Sequence, residues 1–323
     1  MKKIFIFVSA LILLAFFAWY RGNRDVELNE DNQPSNSQIQ MSEKHPDKKR
    51  IDSSLKTEES NDPGSSNNLL NEITDTSIPV IKRTVKILEL RKMKLSRIDE
   101  NAMLNHLAEV DPKESASIRN DLIEHSVRYI KDKKLVGDTL VSILENSNHD
   151  RVTREYVLQY IPEFYLSRWK PESDWEDFEE NDRQKLNQVL WNMTDLTEGS
   201  MAGGALFAMY RIASYYPDIE LQKVFEKSSE VLTDPGYMNP SRMGAVQILA
   251  FSENEEYFQL AKKIVYEEKQ PTLLRVTAMN TASQSKFPDR EFLDKLKELS
   301  QSKNYVHPSL KKCAELTLSK LKY

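Results

Sequence analysis

Ser200-Met201-Ala202-Gly203-Gly204-Ala205-Leu206-Phe207-Ala208-Met209-Tyr210-Arg211-Ile212-Ala213 is the stretch whose reading decides the fold. Its apolar residues recur at helical spacing, and its small residues predict a helix that lies close to its neighbours. Gly203 and Gly204 each cost about 1 kcal/mol relative to alanine inside a helix, a cost that close helix approach offsets. Three later segments repeat the pattern: Ser241–Ala250, Pro271–Ala282 and Pro308–Leu321. Aligned on Ala205, they carry Ala245, Ala278 and Ala314, at successive intervals of 40, 33 and 36 residues. Arg151–Ile161 places Val157 in the same register, 48 residues upstream of Ala205. Recurrence at such periods predicts stacked helical hairpins, none of which buries its apolar face alone.

Working outward, each of these helices has a more charged partner before it. Arg183–Met193 precedes Met201–Ala213, Ile219–Leu232 precedes Ser241–Ala250, Glu255–Glu267 precedes Pro271–Ala282, and Arg290–Leu299 precedes Pro308–Leu321. Further upstream, Pro79 predicts a helix start, with Ile81, Val85, Leu88 and Leu95 as its apolar stripe. That helix is strongly basic through Lys82, Arg83, Lys86, Arg91, Lys92, Lys94 and Arg97. A solvated face at the end of an array is the first reading, and a contact with anionic lipid the second. Asp111-Pro112-Lys113-Glu114 predicts a capped helix start with Glu114 closing a capping box, followed by Ile118, Leu122, Ile123 and Ile130. Leu135–Leu144 is the next expected helix, and Pro162 is expected to end Arg151–Ile161. Between 162 and 182 the pattern breaks into Phe164, Tyr165, Trp169, Trp175 and Phe178, read either as a hydrophobic plug or as a contact surface.

The N-terminal part differs in kind. Ile4–Tyr20 is apolar apart from Ser9 and is preceded by Lys2 and Lys3. At helical rise it reaches about 25 Å, slightly less than a ~30 Å hydrocarbon core. Phe16 at position −3 of a cut after Ala18 disfavours signal cleavage. Trp19-Tyr20-Arg21 suits a membrane–water interface. Residues 1–21 are therefore expected to be an uncleaved transmembrane anchor, with secretion after cleavage as the alternative. Residues 22–78 are expected to be a disordered acidic linker, since 21–78 hold 7 basic and 12 acidic side chains and no aromatic. The helical domain is assigned to 79–323, outside the cytoplasm.

Composition bounds the chemistry. Eight glycines in 323 residues with 29% charged residues favour helices over sheets. A net charge of −5 gives no basic field for nucleic acid. Cys313 is the single cysteine and is read as a small buried hydrophobe. The five histidines form no i,i+3 or i,i+4 pair, and no phosphate loop or nucleophile elbow occurs. No catalytic, cofactor-binding or metal-binding residue is assigned, and no cofactor is expected.

The segments Asn239-Pro240-Ser241-Arg242, Gln270-Pro271-Thr272 and His307-Pro308-Ser309, with Lys311, Lys312 and Arg275 near helix starts and the inward alanines, resemble HEAT-type repeats. A regular aspartate–arginine ladder is not visible. The resemblance is specific over 199–323 and extends over 112–198. It implies an all-α solenoid of antiparallel hairpins that binds a protein or peptide partner. The expected role is thus a non-enzymatic, membrane-tethered interaction scaffold or adaptor in the cell envelope. Tyr165, Trp169, Trp175, Tyr215, Tyr216 and Tyr237 are the contact candidates. The alternative role is a helical toroid acting on glycans through opposed carboxylates, with Asp174, Glu176 and Asp177 as its first candidates.

Overall fold

A computed structural model describes residues 63–167, 178–252, 254–284, 289–302 and 306–321. Among these residues there are fourteen α-helices and no strand. They form seven consecutive pairs: α1 (Pro63–Thr74) with α2 (Val80–Leu90), α3 (Arg97–Ala108) with α4 (Ala116–Tyr129), and α5 (Lys133–Glu145) with α6 (Arg151–Leu166). Then come α7 (Glu180–Met193) with α8 (Met201–Ala213), α9 (Leu221–Thr233) with α10 (Asn239–Leu249), α11 (Glu255–Tyr266) with α12 (Thr272–Ala282), and α13 (Arg290–Gln301) with α14 (Pro308–Leu321). The second helix of every pair packs on the second helix of the next, so α2, α4, α6, α8, α10, α12 and α14 make one continuous inner row. The first helices pack closely from α1 through α7; beyond α7 they are joined through side chains, as where Phe258 of α11 meets Phe292 of α13 with centroids 5.7 Å apart. This stacking is compatible with the expected helical solenoid.

The expected register lies inside the inner row. Val157, Ala205, Ala245, Ala278 and Ala314 are all fully buried. Alanine at this point lets successive inner helices approach, and α8 and α10 approach furthest. A Cβ added at Gly203 would lie 2.9 Å from Ser241 Cα, and one at Gly244 would lie 3.0 Å from Gly203 Cα. Ser241 ties the crossing together: its Oγ accepts from Gly203 N at 3.3 Å and donates to the Gly199 carbonyl at 3.1 Å.

A second repeating device was visible in the sequence only as basic residues near helix starts. Buried arginines at the fourth position of inner helices donate Nε–H to the carbonyl ten residues upstream, in the last turn of the preceding outer helix. The pairs are Arg83 to Ile73 at 2.5 Å, Arg154 to Leu144 at 3.2 Å, Arg242 to Leu232 at 3.0 Å and Arg275 to Val265 at 3.1 Å. Arg119 does the same through Nη1 and Nη2, reaching the carbonyls of Glu109 and Asp111 at 3.0 Å each. The last carbonyls of a helix have no internal partner and carry its negative end, so a guanidinium there satisfies both needs. The series holds in five of the seven described pairs and joins arginine to backbone carbonyls, which is not an aspartate–arginine ladder. It skips α8, where Ala202 holds the equivalent register, and α14, where Lys311 is exposed. A related contact closes the turn between α4 and α5: buried Lys133 donates to the Val127 and Ile130 carbonyls at 3.0 and 2.6 Å.

Several expectations need correction. Residues 63–74 are helical, and Leu69, Leu70 and Ile73 are buried, so the folded body starts upstream of 79. On α2 the stripe of Ile81, Val85 and Leu88 is the exposed face; Arg83, Ile87 and Leu90 are the buried one. That inversion arises because buried Arg83 takes its place in the ladder. Ser115, not Asp111, precedes α4, and Glu114 is withdrawn from capping into a buried pair with Arg83. The true capping box on this side is Ser96 with Asp99 at the start of α3. Pro162 lies within α6, which continues to Leu166 and so buries Phe164 and Tyr165.

The expected single-pass membrane placement is also corrected. Among the described residues no helix is long and apolar enough to cross a membrane. The longest, α6, has 16 residues, against about 20 for a span. Residues 1–21, on which the anchor rested, and the linker up to residue 62 lie outside the described residues.

Candidate functional site

Of the six aromatic contact candidates, three are core residues. Tyr165 is 1% exposed, donates its hydroxyl to Asn187 Oδ1 at 2.8 Å, and packs edge-on against Tyr216 with ring centroids 5.7 Å apart. Tyr216 donates to the Tyr165 carbonyl at 3.0 Å, and Tyr237 is buried as well. Phe164 and Phe178 meet edge-to-face at 5.4 Å over Gly137. These rings fill the joint between α5, α6 and α7. The Tyr165 and Tyr216 hydroxyls find partners inside the protein, which is why these two are not available as surface contacts. Tyr215 is at the surface, 52% exposed. Trp169 and Trp175 lie outside the described residues, as do Asp174, Glu176 and Asp177.

The end of α8 that precedes Tyr215 carries an aromatic patch that was not anticipated. Tyr210, at the end of α8, stacks on Phe251, which follows α10, with centroids 4.8 Å apart and planes 15° apart. Phe225 of α9 lies 6.2 Å from Tyr210 and 6.0 Å from Tyr257 of α11. Phe225 and Tyr257 are buried and hold the patch from below, whereas Phe251 is 41% exposed. The geometry follows from the connections: the α8–α9 and α10–α11 turns fall on the same edge of the stack. Tyr210 and Phe251 stand five and six residues after Ala205 and Ala245, and an aromatic residue at about this distance past each of these two inward alanines was the available signal.

The rim of the patch is acidic. Glu226 and Glu256 lie near the Tyr257 ring, and burial, more than their charge, raises that phenol above its ordinary value. Neither carboxylate has a salt bridge among the described residues. Flat aromatic faces beside unpaired carboxylates can hold an apolar or aromatic side chain with an adjacent cation.

Other polar groups serve the fold. The Glu114 side chain is enclosed between Arg83 and His106, the latter at 3.1 Å. Burial would raise its carboxyl, but the hydrogen bonds of His106 and Arg83, with the Arg83 charge, outweigh it and bring it down to about 2. His149 bridges Arg119 and the Ala108 carbonyl. Cys313 is buried beside Asn280, and burial pushes its thiol up, away from nucleophilic use. Among the described residues no group of His, Cys, Asp and Glu is placed to hold a metal ion. On the basic helix, Arg91 pairs with Glu124 at 2.7 Å, and Lys86 with Glu72 and Glu89 at 3.3 Å each. With Arg83 also paired, much of the charge that suggested a lipid contact is neutralised internally.

The described body is thus a stack of helical hairpins with an aromatic edge. No family model matches the chain, and no curated protein matches it. Among solved structures, human deoxyhypusine hydroxylase in complex with glycerol is similar at 10% identity, with a TM-score of 0.29, covering 80% of this chain and 96% of that one. The expectation of a non-enzymatic, membrane-tethered scaffold in the cell envelope is withdrawn, because among the described residues no helix can cross a membrane. At that TM-score the likeness assigns neither a reaction nor a site to this chain.

Proposed function

We propose that the described body is a HEAT-type stack that binds an extended segment of another protein. The segment lies along the edge formed by the α8–α9 and α10–α11 turns. The observation that carries this reading is the Tyr210–Phe251 stack, with Phe251 exposed and Tyr215 exposed in the turn that follows α8. Large exposed aromatics supply contact area with few torsions to immobilise, which is why they dominate interface energetics. Glu226 and Glu256 favour a segment with arginine or lysine next to its apolar anchor, and the cation lies over an aromatic face.

A displayed random-peptide library selected against the full chain tests this. The expected consensus pairs a basic residue with an aromatic or branched apolar one. Binding should weaken at least tenfold in a Tyr215→Ser, Phe251→Ser double variant, both sites being exposed. Loss of a Glu226→Gln, Glu256→Gln pair should remove most of the salt dependence. Peptides that bind the aromatic double variant unchanged, or no enrichment at all, would overturn the reading.

A further inference from the structure

A different part of the molecule carries a second, independent site. Between the α2–α3 connection, the first turn of α3 and the end of α4 lies a cavity of about 390 Å³. That is within the range of small-molecule pockets. Met93, Leu95, Ile130 and the ring of Tyr129 supply its apolar lining. His125 forms part of the wall, is only 2% exposed, and lies against the Tyr129 ring with centroids 5.0 Å apart. Its Nδ1 is enclosed and has no hydrogen-bond partner. Buried polar atoms in folded proteins nearly always have partners, so an orphaned ring nitrogen at a cavity wall asks for a ligand or an ordered water. Burial, with the charge of Arg91, keeps this imidazole neutral near pH 7.

The charges at the mouth are uneven. Arg97 pairs with Asp132 at 3.3 Å. Glu100 is half-buried, and burial and then Asp132 push its carboxyl up, with Arg97, Lys133 and Lys131 acting against them. Lys94 and Lys131 also line the cavity, and neither has an ion-pair partner among the described residues. Two unpaired ammonium groups over an apolar, ring-sized space define the missing chemistry.

We infer that this cavity binds a small organic carboxylate with an apolar body about the size of one ring. Its carboxylate lies between Lys94 and Lys131, its body on Met93, Leu95, Ile130 and Tyr129, and His125 is the neutral polar contact. Nothing in this site depends on the aromatic edge, so either site stands if the other fails.

The test uses the full chain with isotope-labelled histidine. The sequence has only five histidines, and a His125→Phe variant assigns the relevant ring signal. The probes are 3-phenylpropionate, the uncharged 3-phenylpropanol and inorganic phosphate. Saturable perturbation of the His125 signal by 3-phenylpropionate is expected, with the alcohol at least tenfold weaker and phosphate without effect. A Lys94→Gln, Lys131→Gln variant, altered only at exposed positions, should bind the acid at least tenfold more weakly while melting like the parent. No saturable shift, equal binding of the alcohol, an equal response to phosphate, or indifference to the lysine changes would each overturn the inference.

Discussion

At Gly203 two helix backbones meet, and the consequence is measurable at one atom. A Cβ there would lie 2.9 Å from both Ser241 Cα and Ser241 O, neither of which moves without shifting α10. Gly203→Ala should therefore destabilise the protein by about 1–3 kcal/mol, as overpacking does, read by urea unfolding. Gly204→Ala is the internal control. Its nearest neighbour is the flexible Leu158 Cδ1 at 3.3 Å, so the helix-propensity gain of about 1 kcal/mol should leave it neutral or stabilised. Equal losses at the two positions would refute the close crossing. Titration gives a second prediction at this scale. Burial, then Arg91, depress His125 to about 4 from its ordinary 6.5. A depressed histidine stabilises fully above the unfolded value, and that contribution is lost as pH falls from about 6.5 towards 4, because the unfolded chain takes up the proton first. His125→Phe should flatten the decline between pH 7 and pH 5. Glu114 acts in a lower window: its stabilisation is present above about 4.5 and lost as pH falls towards 2, and Glu114→Gln should remove that slope. A wild-type midpoint that does not change between pH 7 and 5 would contradict the His125 assignment. The small inward residues behind these effects were legible, since alanine and glycine leave a spacing pattern. The environment of His125 was not, because its neighbours come from three separate segments.

Between residue and molecule, the unit is the hairpin, and the arginine ladder is what locks its two helices. Arg242 illustrates the energetics: its Nε–H satisfies the Leu232 carbonyl at 3.0 Å, and its Nη2 reaches Gln270 Oε1 of the next pair at 3.0 Å. Burial lowers its guanidinium from the ordinary value, a sign of the desolvation that the carbonyl contact must offset. Arg242→Leu keeps the apolar stem but orphans the carbonyl, and should cost about 1–3 kcal/mol. Arg242→Lys, with its flexible ammonium, should recover only part of that loss. Chemical denaturation of both variants decides the matter; an unperturbed leucine variant would mean that the carbonyl is satisfied otherwise. The helices themselves were mostly legible from periodicity, with boundaries near those observed for α8 through α14. The arginines were recognised only in part: Arg242 and Arg275 stood out near helix starts, Arg83 was read as part of a solvated basic face, and Arg119 and Arg154 were not singled out. Without the hairpin in three dimensions, an arginine ten residues after a helix end has no visible reason to be buried. The same gap explains α2, where a good apolar stripe was assigned to the core although the ladder residue turned the helix the other way.

Over the whole described body, stability is distributed unevenly, and the two rows explain how. In a stack each pair contacts only its neighbours, so total stability is close to a sum of local and interface terms. α8 and α10 sit at the tightest crossing, flanked on both sides by inner-row partners. The terminal pair α13 and α14 has inner-row contact only through α12, and it carries Leu316 exposed and Lys311 in place of a ladder arginine. The repeat period was legible at this scale, whereas the wider spacing of the outer helices beyond α7 was not, since it depends on side-chain fit between rows rather than on sequence interval. Terminal units with one neighbour open at lower free energy than central ones. Native-state hydrogen exchange in low denaturant should therefore show the amides of α14 exchanging through a sub-global opening well below the global unfolding free energy. The amides of α8 and α10 should exchange only by global unfolding. Introducing Lys311→Arg should raise protection in α13 and α14 alone, if the guanidinium reaches the last carbonyls of α13 as its counterparts do. Uniform protection from α8 to α14 would mean that the stack unfolds as a single cooperative block, and the nearest-neighbour account of its stability would then fail.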